Sequence, residues 1–454
     1  MTFRMGQKFR NLVVQDRLGE GAMGVVYLAS HPVLRMPFVI KVFKNTASAD
    51  LLKEAHLAAR VRSPHVVDVV DAGEEDGQPF IVHRYVDGVD LSELLAWQER
   101  RGRRLSVGVV SRMMADVARG LHAIHQSGVI HRDIKPPNLF LQGNGDTMIG
   151  DFGIATSIAT HTKGPLAGTP RYLAPEVWLN KEVTRRSDLY ALGATAHEML
   201  TGSAPFSAKS VAALALAHCR SAYTSPDSDC PHTGAFFALV EALLAKTPAD
   251  RPTCAGSVAD AFDELATPLP LLNIGATSTP GLSTGHVGPL RLALSMGDLV
   301  QQGERADVIV NAANRELMMR RGVSRALRLV AGDAVEAEAM AAGPVTMGDV
   351  VWTAPGALGA THLAHAVAAL DGAVCIQRAA LRTLLQTESR GGRCVAFPAL
   401  GTGVGQVPME VGALLLLTTL RTFAWLEPES VEELIFVLHG QDAFNAARGV
   451  AHGV

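Results

Sequence analysis

Six short strings of residues, in a fixed order along the first 252 positions, constrain this sequence more than any other feature. They are LGEGAMGVVY at Leu18–Tyr27, IKVF with Lys41, HRDIKPPN at His131–Asn138, DFG at Asp151–Gly153, APE at Ala174–Glu176 and DRP at Asp250–Pro252. Each string alone is a weak signal, because short glycine-rich or charged strings are common. Their order and spacing allow all six to build a single nucleotide site.

The first string lies between two runs that are typical of β-strands, Leu12–Leu18 and Val25–Ala29. Its three glycines allow a tight hairpin to approach phosphates closely, because no Cβ atom stands in the way. An ordinary hairpin turn is the alternative interpretation of this string alone. Lys41 stands at the end of a short apolar run. This position predicts a strand from which the ammonium of Lys41 projects.

Taken together, the six strings resemble those of the bacterial Ser/Thr protein kinases of eukaryotic type, over roughly Phe9 to Leu265. The resemblance implies a two-lobed α+β fold, with a sheet-rich N-lobe to about Val86 and a helical C-lobe after it. It also implies transfer of the γ-phosphoryl group of ATP, with Mg²⁺, to Ser or Thr of protein substrates. Such transfer needs cradled phosphates, held metal ions and an aimed hydroxyl more than covalent chemistry.

The resemblance assigns roles to individual residues. Asp133 should orient the substrate hydroxyl and accept its proton, and Lys135 should contact the γ-phosphate. Lys41 should contact the α- and β-phosphates and be held by Glu54, although Glu54 can also be read as a solvated helix carboxylate. The metal ligands are Asn138 and Asp151, since Mg²⁺ prefers carboxylate and amide oxygens. The residues predicted to contact the nucleotide are Leu18, Gly19, Gly21, Gly24, Val26, Val39, Lys41, Tyr85 and Val86.

The activation segment, residues 151–176, contains several hydroxyl side chains. We hypothesise that Thr160 or Thr162 is autophosphorylated and pairs with the guanidinium of Arg132. Three positions depart from the family pattern: Val39 stands where Ala is usual, His83 at the gatekeeper position and Arg84 at a common hinge Glu. Every phosphate- and metal-contacting position is kept, so an active kinase is favoured over an inactive scaffold with the kinase fold.

Composition excludes several other classes of protein. A net charge of −3 gives no electrostatic reason to expect nucleic-acid or anionic-membrane binding. No apolar stretch reaches the ~18 residues that a membrane span needs, and the N-terminus lacks the apolar core of a signal peptide. Five cysteines, without CxxC spacing, argue against a disulfide framework or zinc site and for the reducing cytoplasm.

The second half of the chain changes in character. Residues 266–289 are rich in Pro, Gly, Ser and Thr, which predicts a partly extended linker between domains 1–265 and 290–454. From Leu290 onward, β-branched and aliphatic runs alternate with Ala-rich helical segments. That alternation predicts a mainly parallel sheet with helices on both faces and ligand crevices at the strand ends.

In this second half, GD before an aliphatic residue, VNAAN, RGV, FPALGTGVG and the closing FVL resemble the macro domain, a binder of ADP-ribose and related nucleotides. The resemblance implies a three-layer α/β/α fold. Asp298 should accept from the adenine amino group, with a helix N-cap as the alternative, and Asn314 should contact the distal ribose. The phosphate-contacting positions are Gly322, Val323, Gly401, Thr402, Gly403, Val404 and Gly405.

Two departures bear on what this domain does. Met319, Arg320 and Arg321 replace the family's run of glycines, and they either pair with phosphate or cover the site. Ser324 stands where the ester-hydrolysing subfamily has an Asp, which favours a reader of ADP-ribose or ADP-ribosylated protein over a hydrolase. The functions left open are therefore an active kinase with such a reader, a pseudokinase scaffold with the reader, and a bifunctional kinase and ADP-ribosyl hydrolase.

Overall fold

The structure, a computed structural model, describes residues 3–21, 24–44, 52, 55–151, 170–226, 231–275, 279–370, 373–403 and 405–454. Two bodies of secondary structure follow one another along the chain. The first contains a sheet and a helical lobe, and the second is built around a larger sheet. The predicted two-lobe kinase fold and three-layer macro fold are both present.

An antiparallel sheet in the order β1-β2-β3-β4-β6-β5 forms the N-lobe. Its strands alternate buried and partly exposed residues, as in β4, where Phe38, Ile40 and Val42 are buried and Val39 and Lys41 face the cleft side. This alternation follows from the two-residue period of a strand. The strands are β1 (Lys8–Phe9), β2 (Leu12–Glu20), β3 (Gly24–Ser30), β4 (Pro37–Phe43), β5 (Val69–Glu75) and β6 (Gln78–Arg84).

The C-lobe is mainly helical and surrounds the long helix α2, whose N-terminus is capped by the hydroxyl of Ser106. A small sheet, β7 (Gly88–Asp90), β8 (Leu139–Gln142) and β9 (Thr147–Ile149), lies below the cleft. The helices are α1 (Leu91–Arg101), α2 (Val107–Gln126), α3 (Pro175–Trp178), α4 (Arg185–Thr201), α5 (Val211–Arg220), α6 (Pro231–Leu243) and α7 (Ala255–Asp263). Short 3-10 helices are Pro136–Asn138, Pro170–Tyr172 and Pro248–Asp250.

The second body has a mixed sheet in the order β10-β11-β12-β19-β18-β13-β15-β14 in the described part of the chain. Its interior pairs are parallel and its outer pairs antiparallel. The strands are β10 (Leu272–Ile274), β11 (Leu282–Val287), β12 (Leu290–Met296), β13 (Val308–Ala313), β14 (Val350–Thr353), β15 (His362–Val367), β18 (Cys394–Pro398) and β19 (Glu433–Leu438), with β16 (Ala369–Leu370) and β17 (Ala373–Val374) as a separate pair.

Helices cover both faces of this sheet, which accounts for its nearly continuous apolar strands. They are α8 (Gly322–Ala331), α9 (Asp333–Ala341), α10 (Ile376–Ser389), α11 (Met409–Trp425) and α12 (Gln441–Ala451), with a 3-10 helix at Leu299–Glu304. The N-terminus of α10 has no capping side chain of its own. Its cap comes from the first body, as described below.

The predicted linker differs from the structure. Within residues 266–289, β10 and β11 form two antiparallel strands that extend the second sheet from β12. Gly, Ser and Thr are compatible with β11 because this strand pairs on both sides, with β10 and β12, and so satisfies its backbone groups. The composition therefore misled the prediction: the segment belongs to the second body.

The two bodies share one apolar core. A single cluster of buried side chains runs from the C-lobe to the second body, for example from Leu141 to Leu416 and Phe423. Polar contacts also cross this seam: the hydroxyl of Thr422 donates to the carbonyl of Gly143 at 2.7 Å. The described part of the chain contains no helix long and apolar enough to cross a lipid bilayer.

Candidate functional site

The first cleft lies between the N-lobe sheet and the small sheet of the C-lobe. Leu18, Val26 and Val39 come from three adjacent strands and are all half-buried on the cleft side. Gly24 has a packing reason to be glycine, because a Cβ atom there would lie 2.1 Å from the carbonyl oxygen of Val42. A Cβ atom at Gly19 or Gly21 would meet no atom within 4 Å, so the space beside both glycines is open to a ligand.

Lys41 reaches across this cleft to Asp151. Its Nζ atom lies 2.8 Å and 2.9 Å from the two carboxylate oxygens of Asp151, although 110 positions separate the residues. Burial acts to raise the pKa of Asp151, but the Lys41 ammonium together with His83 and His131 more than offsets it and holds this pKa below its usual value. The Asp151 side chain is 44 % exposed, so the pair lies at an open mouth rather than in the core.

Asp133 forms the centre of a second polar group on the C-lobe side. Lys135 Nζ lies 2.8 Å from Asp133 Oδ2. The Asn138 amide donates to the carbonyl oxygen and to Oδ2 of Asp133, both at 2.8 Å. The carboxylate of Asp133 is thus aimed by two donors, and the amide oxygen of Asn138 stays available for another partner.

The loop that carries Asp133 is held from below by Asp188 at the start of α4. One Asp188 oxygen accepts from the amide of Arg132 at 2.7 Å, and the other accepts from the amide of His131 at 2.9 Å. Arg132 has a positive φ of 67°, a conformation that a non-glycine residue adopts only when its surroundings enforce it. The loop is therefore a preorganised element.

His131 is fully buried and serves this loop as a packed support. Its Nδ1 accepts from the amide of Asp133 at 3.3 Å, which leaves Nε2–H to donate to the carbonyl of Gly150 at 3.1 Å. Burial lowers its pKa, so the imidazole is neutral.

Deeper in the C-lobe, Glu176 and Arg251 form a buried two-bond ion pair at 2.7 Å and 2.8 Å.

The residues present fit an ATP–Mg²⁺ complex. A cation at Lys41 and another at Lys135 can face phosphate oxygens, and the carboxylate of Asp151 with the amide oxygen of Asn138 offers hard ligands to a metal ion. When bound, Mg²⁺ would neutralise charge on the phosphates. Asp133 lies within hydrogen-bond distance of both Lys135 and Asn138, which places a proton-accepting group beside the same space.

Several predicted residues fall outside the described part of the chain. Glu54, Phe152 and the hydroxyls Thr156, Ser157, Thr160, Thr162 and Thr169 are among them, so the predicted Lys41–Glu54 pair and the phosphorylation of Thr160 or Thr162 remain hypotheses. Tyr85 and Val86 follow β6 at the strand's end, where the chain passes from one lobe to the other. Tyr85 is buried and Val86 half-buried.

His83, at the gatekeeper position, is buried in β6 beside this cleft. Its Nδ1 atom has no hydrogen-bond partner among the described residues. Burial, with a further contribution from the nearby Lys41 and against that of Asp151, lowers its pKa to about 4. The gatekeeper is therefore a neutral imidazole at physiological pH.

The second cleft lies at the ends of β13 and β18 and is bordered by two loops. We call residues 314–321, after β13, loop A. Asn314 is placed there, but both ends of its amide bond its own loop: Nδ2 donates to the Met318 carbonyl at 3.0 Å, and Oδ1 accepts from the Met318 amide at 3.1 Å. In this conformation Asn314 shapes loop A.

The rest of loop A combines a buried anchor with exposed cations. Met319 is fully buried, and its amide donates to Glu336 Oε1 at 2.6 Å. Glu336 also pairs with Arg328 at 2.7 Å. Arg320, Arg321, Gly322 and Val323 are all exposed at the N-terminus of α8. At the position of the family's glycine run, Met319 is therefore buried, while Arg320 and Arg321 lie at the surface.

We call residues 399–408, after β18, loop B. Gly401 has a φ of 77°, and a Cβ atom there would lie 2.7 Å from a methyl carbon of Ile376, so glycine is required. Thr402 Oγ1 donates to the Ala399 carbonyl at 2.9 Å. Gly403 is exposed and Gly405 buried, whereas Val404 lies outside the described residues.

Asp298 borders the second cleft from the end of β12. It caps the 3-10 helix at Leu299–Glu304, and its Oδ1 accepts from the Val300 amide at 3.0 Å. The side chain is exposed, so its second oxygen faces solvent. Asp298, Asn314, Gly322 and the loop B glycines occupy the strand ends that the sequence indicated, although contact with a ligand remains a prediction.

Beneath loop A runs a buried hydrogen-bonded chain that the sequence reasoning missed. Ser324 Oγ donates to Asn311 Oδ1 at 2.8 Å, Asn311 Nδ2 lies 3.0 Å from His365 Nδ1, and His365 Nε2 lies 3.0 Å from Thr353 Oγ1. Burial lowers the pKa of His365 to about 4, which keeps the ring neutral. A histidine at a buried position of the apolar run HLAHAV was the signal for it.

Comparisons with known proteins agree with this division of the chain. The family model of the protein kinase domain matches residues 12–262, and that of the macro domain matches residues 310–415. The first match covers more than half of the 454 residues.

Among characterised relatives, the serine/threonine-protein kinase PknH of Mycobacterium bovis is 37 % identical over 272 residues, which are 58 % of this chain and 45 % of PknH. PknE of Mycobacterium tuberculosis is 34 % identical over 276 residues, 58 % of this chain and 48 % of PknE. The chain therefore spans about half the length of these relatives. The crystal structure of the Mycobacterium tuberculosis PknI kinase domain covers 59 % of this chain at 32 % identity, with a TM-score of 0.46.

Proposed function

Because this chain belongs to the protein kinase family, we propose that it transfers the γ-phosphoryl group of ATP to Ser and Thr hydroxyls of protein substrates and of itself. Asp133 orients the hydroxyl and accepts its proton, Lys41 and Lys135 face phosphates, and Asn138 and Asp151 hold Mg²⁺. The nucleotide lies between Leu18, Val26 and Val39 under the Gly19, Gly21 and Gly24 hairpin, against Tyr85 and Val86.

One observation carries this proposal: polar residues from three separate strings line one cleft. Lys41 lies 2.8 Å from Asp151, and Asp133 lies 2.8 Å from both Lys135 and Asn138. A scaffold without activity would have no need to keep both the Lys41–Asp151 pair and the Asp133–Lys135–Asn138 cluster in one cleft. The competing pseudokinase function is less well supported for this reason.

Radiolabelled ATP with a generic basic protein tests the proposal. The wild-type chain should label both itself and the basic protein in the presence of Mg²⁺, and chelation of Mg²⁺ should abolish the signal. Asp133→Asn is the matched blank, because it keeps the size and hydrogen bonds of the side chain and removes its basicity. Equal labelling by Asp133→Asn would contradict the assigned role.

The macro domain follows the kinase domain, and we propose that it binds ADP-ribose or ADP-ribosylated protein without hydrolysing it. Support comes from Ser324, which stands where a hydrolase would need a carboxylate and whose hydroxyl is buried and already bonded to Asn311. Asp298, Asn314, Val323 and loop B, with Val404, would border the ligand. The exposed Arg320 and Arg321 suit its diphosphate.

Calorimetric titration with ADP-ribose tests the reader, and incubation with an ADP-ribosylated protein tests hydrolysis. We expect binding with a strong salt dependence, since exposed arginines act through screened charge, and no release of ADP-ribose at any enzyme dose. Release that is lost with Asn314→Ala would instead establish a bifunctional enzyme. Absence of binding would end the reader proposal and leave the kinase proposal intact.

We further propose a kinase domain that ends near residue 265 and a macro body that begins with β10.

The four described cysteines, Cys219, Cys254, Cys375 and Cys394, are all free thiols. Free thiols support a reducing compartment, the cytoplasm, as the site of action.

A further inference from the structure

The macro body contacts the N-lobe through residues that lie in its ligand loops. Arg315, directly after Asn314 in loop A, donates to Asp16 Oδ1 at 2.8 Å and to the Gln15 carbonyl at 3.0 Å on β2. Both charged side chains are buried, Asp16 at 5 % exposure and Arg315 at 7 %. In loop B, Gln406 accepts from Arg35 Nη1 at 3.1 Å.

A second set of contacts joins the macro body to the hinge, residues 84–88, which links the two kinase lobes. Asp87 caps α10: its two oxygens accept from the amides of Gln377 at 3.0 Å and Arg378 at 2.9 Å. This carboxylate supplies the cap that α10 lacks, and the positive end of the helix dipole favours it. The hinge is thus tied to the start of an interior helix of the macro body.

A third set of contacts joins the macro body to the C-lobe. Arg382 on α10 forms a two-bond ion pair with Glu93 on α1, at 2.7 Å for each bond. Trp425 on α11 donates to the carbonyl of Thr267 at 3.0 Å, and Thr422 donates to Gly143. These contacts come from regular helices, whereas the N-lobe contacts come from loops.

Apolar packing fills the space between these polar contacts. Leu28 on β3 and Tyr85 in the hinge are buried in one cluster with Ala313, Leu317 and Met347 of the macro body. Leu18 and Val39, which are predicted to contact adenine, pack against the same cluster. The back of the nucleotide cleft and the start of loop A therefore share one set of side chains.

We propose that the macro body is an interlobe brace: it spans both kinase lobes across the outside of the hinge and holds them in the arrangement in which Lys41 contacts Asp151. Kinases open and close their lobes around nucleotide, with hinge residues absorbing the movement. A rigid body attached on both sides of the hinge restricts that movement. The brace thereby favours the nucleotide-binding arrangement.

The brace also couples the two clefts. Its N-lobe contacts, Arg315 and Gln406, lie in loops A and B, which border the macro cleft, so a ligand that shifts either loop shifts the N-lobe. Because coupling between two binding sites is reciprocal, nucleotide in the kinase cleft must alter the macro ligand's affinity by the same factor. This second part rests on the proposed ADP-ribose binding, whereas the brace itself does not.

The affinity of the full chain for a non-hydrolysable ATP analogue with Mg²⁺ tests the brace. Arg35→Ala removes one N-lobe contact and Asp16→Asn removes the negative charge from another, and neither change alters a macro residue or a predicted nucleotide contact. We expect Asp16→Asn to weaken analogue binding by about fivefold, Arg35→Ala to weaken it less, and both to speed hydrogen exchange in the hinge. Lys8→Ala, which removes an exposed cation from the same sheet, is the matched control and should change neither.

Two checks keep this test decisive. Arg35 is exposed, so Arg35→Ala folds even if the buried Asp16→Asn does not. The pair Asp16→Asn and Arg315→Gln forms a double-mutant cycle, in which the combined effect on analogue affinity should be smaller than the sum of the single effects. Unchanged analogue affinity and unchanged hinge exchange in folded Arg35→Ala and Asp16→Asn would overturn the brace.

Titration of ADP-ribose into the same assay tests the coupling. With ADP-ribose at saturation, the affinity for the ATP analogue should change at least about threefold, and Arg35→Ala should reduce that factor. Binding of ADP-ribose with unchanged analogue affinity would overturn the coupling. If ADP-ribose does not bind, the reader proposal and the coupling fail together, and the analogue measurements still decide on the brace.

Discussion

Both clefts of this protein are marked by sequence motifs, and they differ in how their polar groups are used. In the kinase cleft, Lys41, Asp151, Asp133 and Lys135 pair with one another, and Asp151 is 44 % exposed. In the macro cleft, Asn314 and the amide of Met319 are engaged with loop A and Glu336. These ion pairs are partly buried, with Lys41 14 % and Asp133 24 % exposed, and their charged ends can turn to a charged ligand that enters the cleft. Amides bonded within a loop must first be released.

This difference teaches that a complete set of sequence motifs is not a measure of readiness to bind. In the kinase cleft, Lys41 and Asp151 come from separate elements and meet only in the fold, whereas Asp133, Lys135 and Asn138 share one loop. In the macro cleft, Asn314 is satisfied locally by Met318, as short polar side chains often are, and the Met319 amide is satisfied by Glu336 on α9. Four predictions test this contrast, beginning with the largest expected effect.

Lys41→Met should show most clearly that the two clefts act as distinct sites. The change removes the cation that lies 2.8 Å from Asp151 and is predicted to face the phosphates, so we expect phosphoryl transfer to fall by roughly 10²–10³-fold. Radiolabel transfer measures the loss, and calorimetry with ADP-ribose is the control. A large loss of ADP-ribose affinity in the same variant would show that the two clefts do not act as distinct sites.

Lowering the pH should reduce the stability of both bodies. The pKa values of His83 and His365 are lowered to about 4 in the fold, against 6.5 when exposed. The unfolded chain then binds more protons than the folded chain between these values, so stability falls as pH drops from 6.5 to 4. Each histidine accounts for on the order of 3 kcal/mol over that window.

Hydrogen exchange of β6 and β15 at pH 6.5 and 4.5 measures this effect separately in the two bodies. Protection should decrease in both strands. A variant with His365→Gln should lose part of the pH dependence in β15. Persistence of full protection in either strand at pH 4.5 would show that its histidine is not a buried neutral group.

The same two histidines should respond differently to substitution at neutral pH. His365→Met strands the amide of Asn311 and the hydroxyl of Thr353 in the interior, and we expect a loss of about 2 kcal/mol in the free energy of unfolding. His83→Met strands no partner of Nδ1, so we expect a change within about 1 kcal/mol. Urea denaturation compares them, and equal losses would contradict the contrast in hydrogen bonding.

Glu336→Gln is expected to have the smallest effect of the four changes. It should strengthen ligand binding, whereas the other changes weaken activity or stability. Glu336 holds the amide of Met319 and pairs with Arg328, and its carboxylate lies near Arg320. Removing this charge should strengthen ADP-ribose binding by roughly two- to threefold at low ionic strength, with less change at high salt. Weaker binding would mean that the Glu336 contact preorganises loop A for its ligand.

Much of the kinase cleft could be predicted from the sequence. Three of the six strings contain the polar residues of the cleft and a fourth forms its glycine hairpin, whereas Glu176 and Arg251 of the other two strings pair deeper in the C-lobe. The macro loops were also located correctly, at strand ends. Residues 266–289 were misread, since Gly, Ser and Thr are typical of linkers and are also compatible with the two strands that form there, the edge strand β10 and its neighbour β11.

The sequence by itself determined which chemical groups each cleft contains and in what order they occur, because strand period, glycine turns and charged strings are local properties of the chain. Only the tertiary structure decided how those groups are used. Asn314 turns to Met318, Asp87 caps a helix almost 300 positions away, and Arg315 is buried against Asp16. Such contacts depend on packing between distant segments, and a packed seam is a property of two surfaces together that neither segment encodes alone.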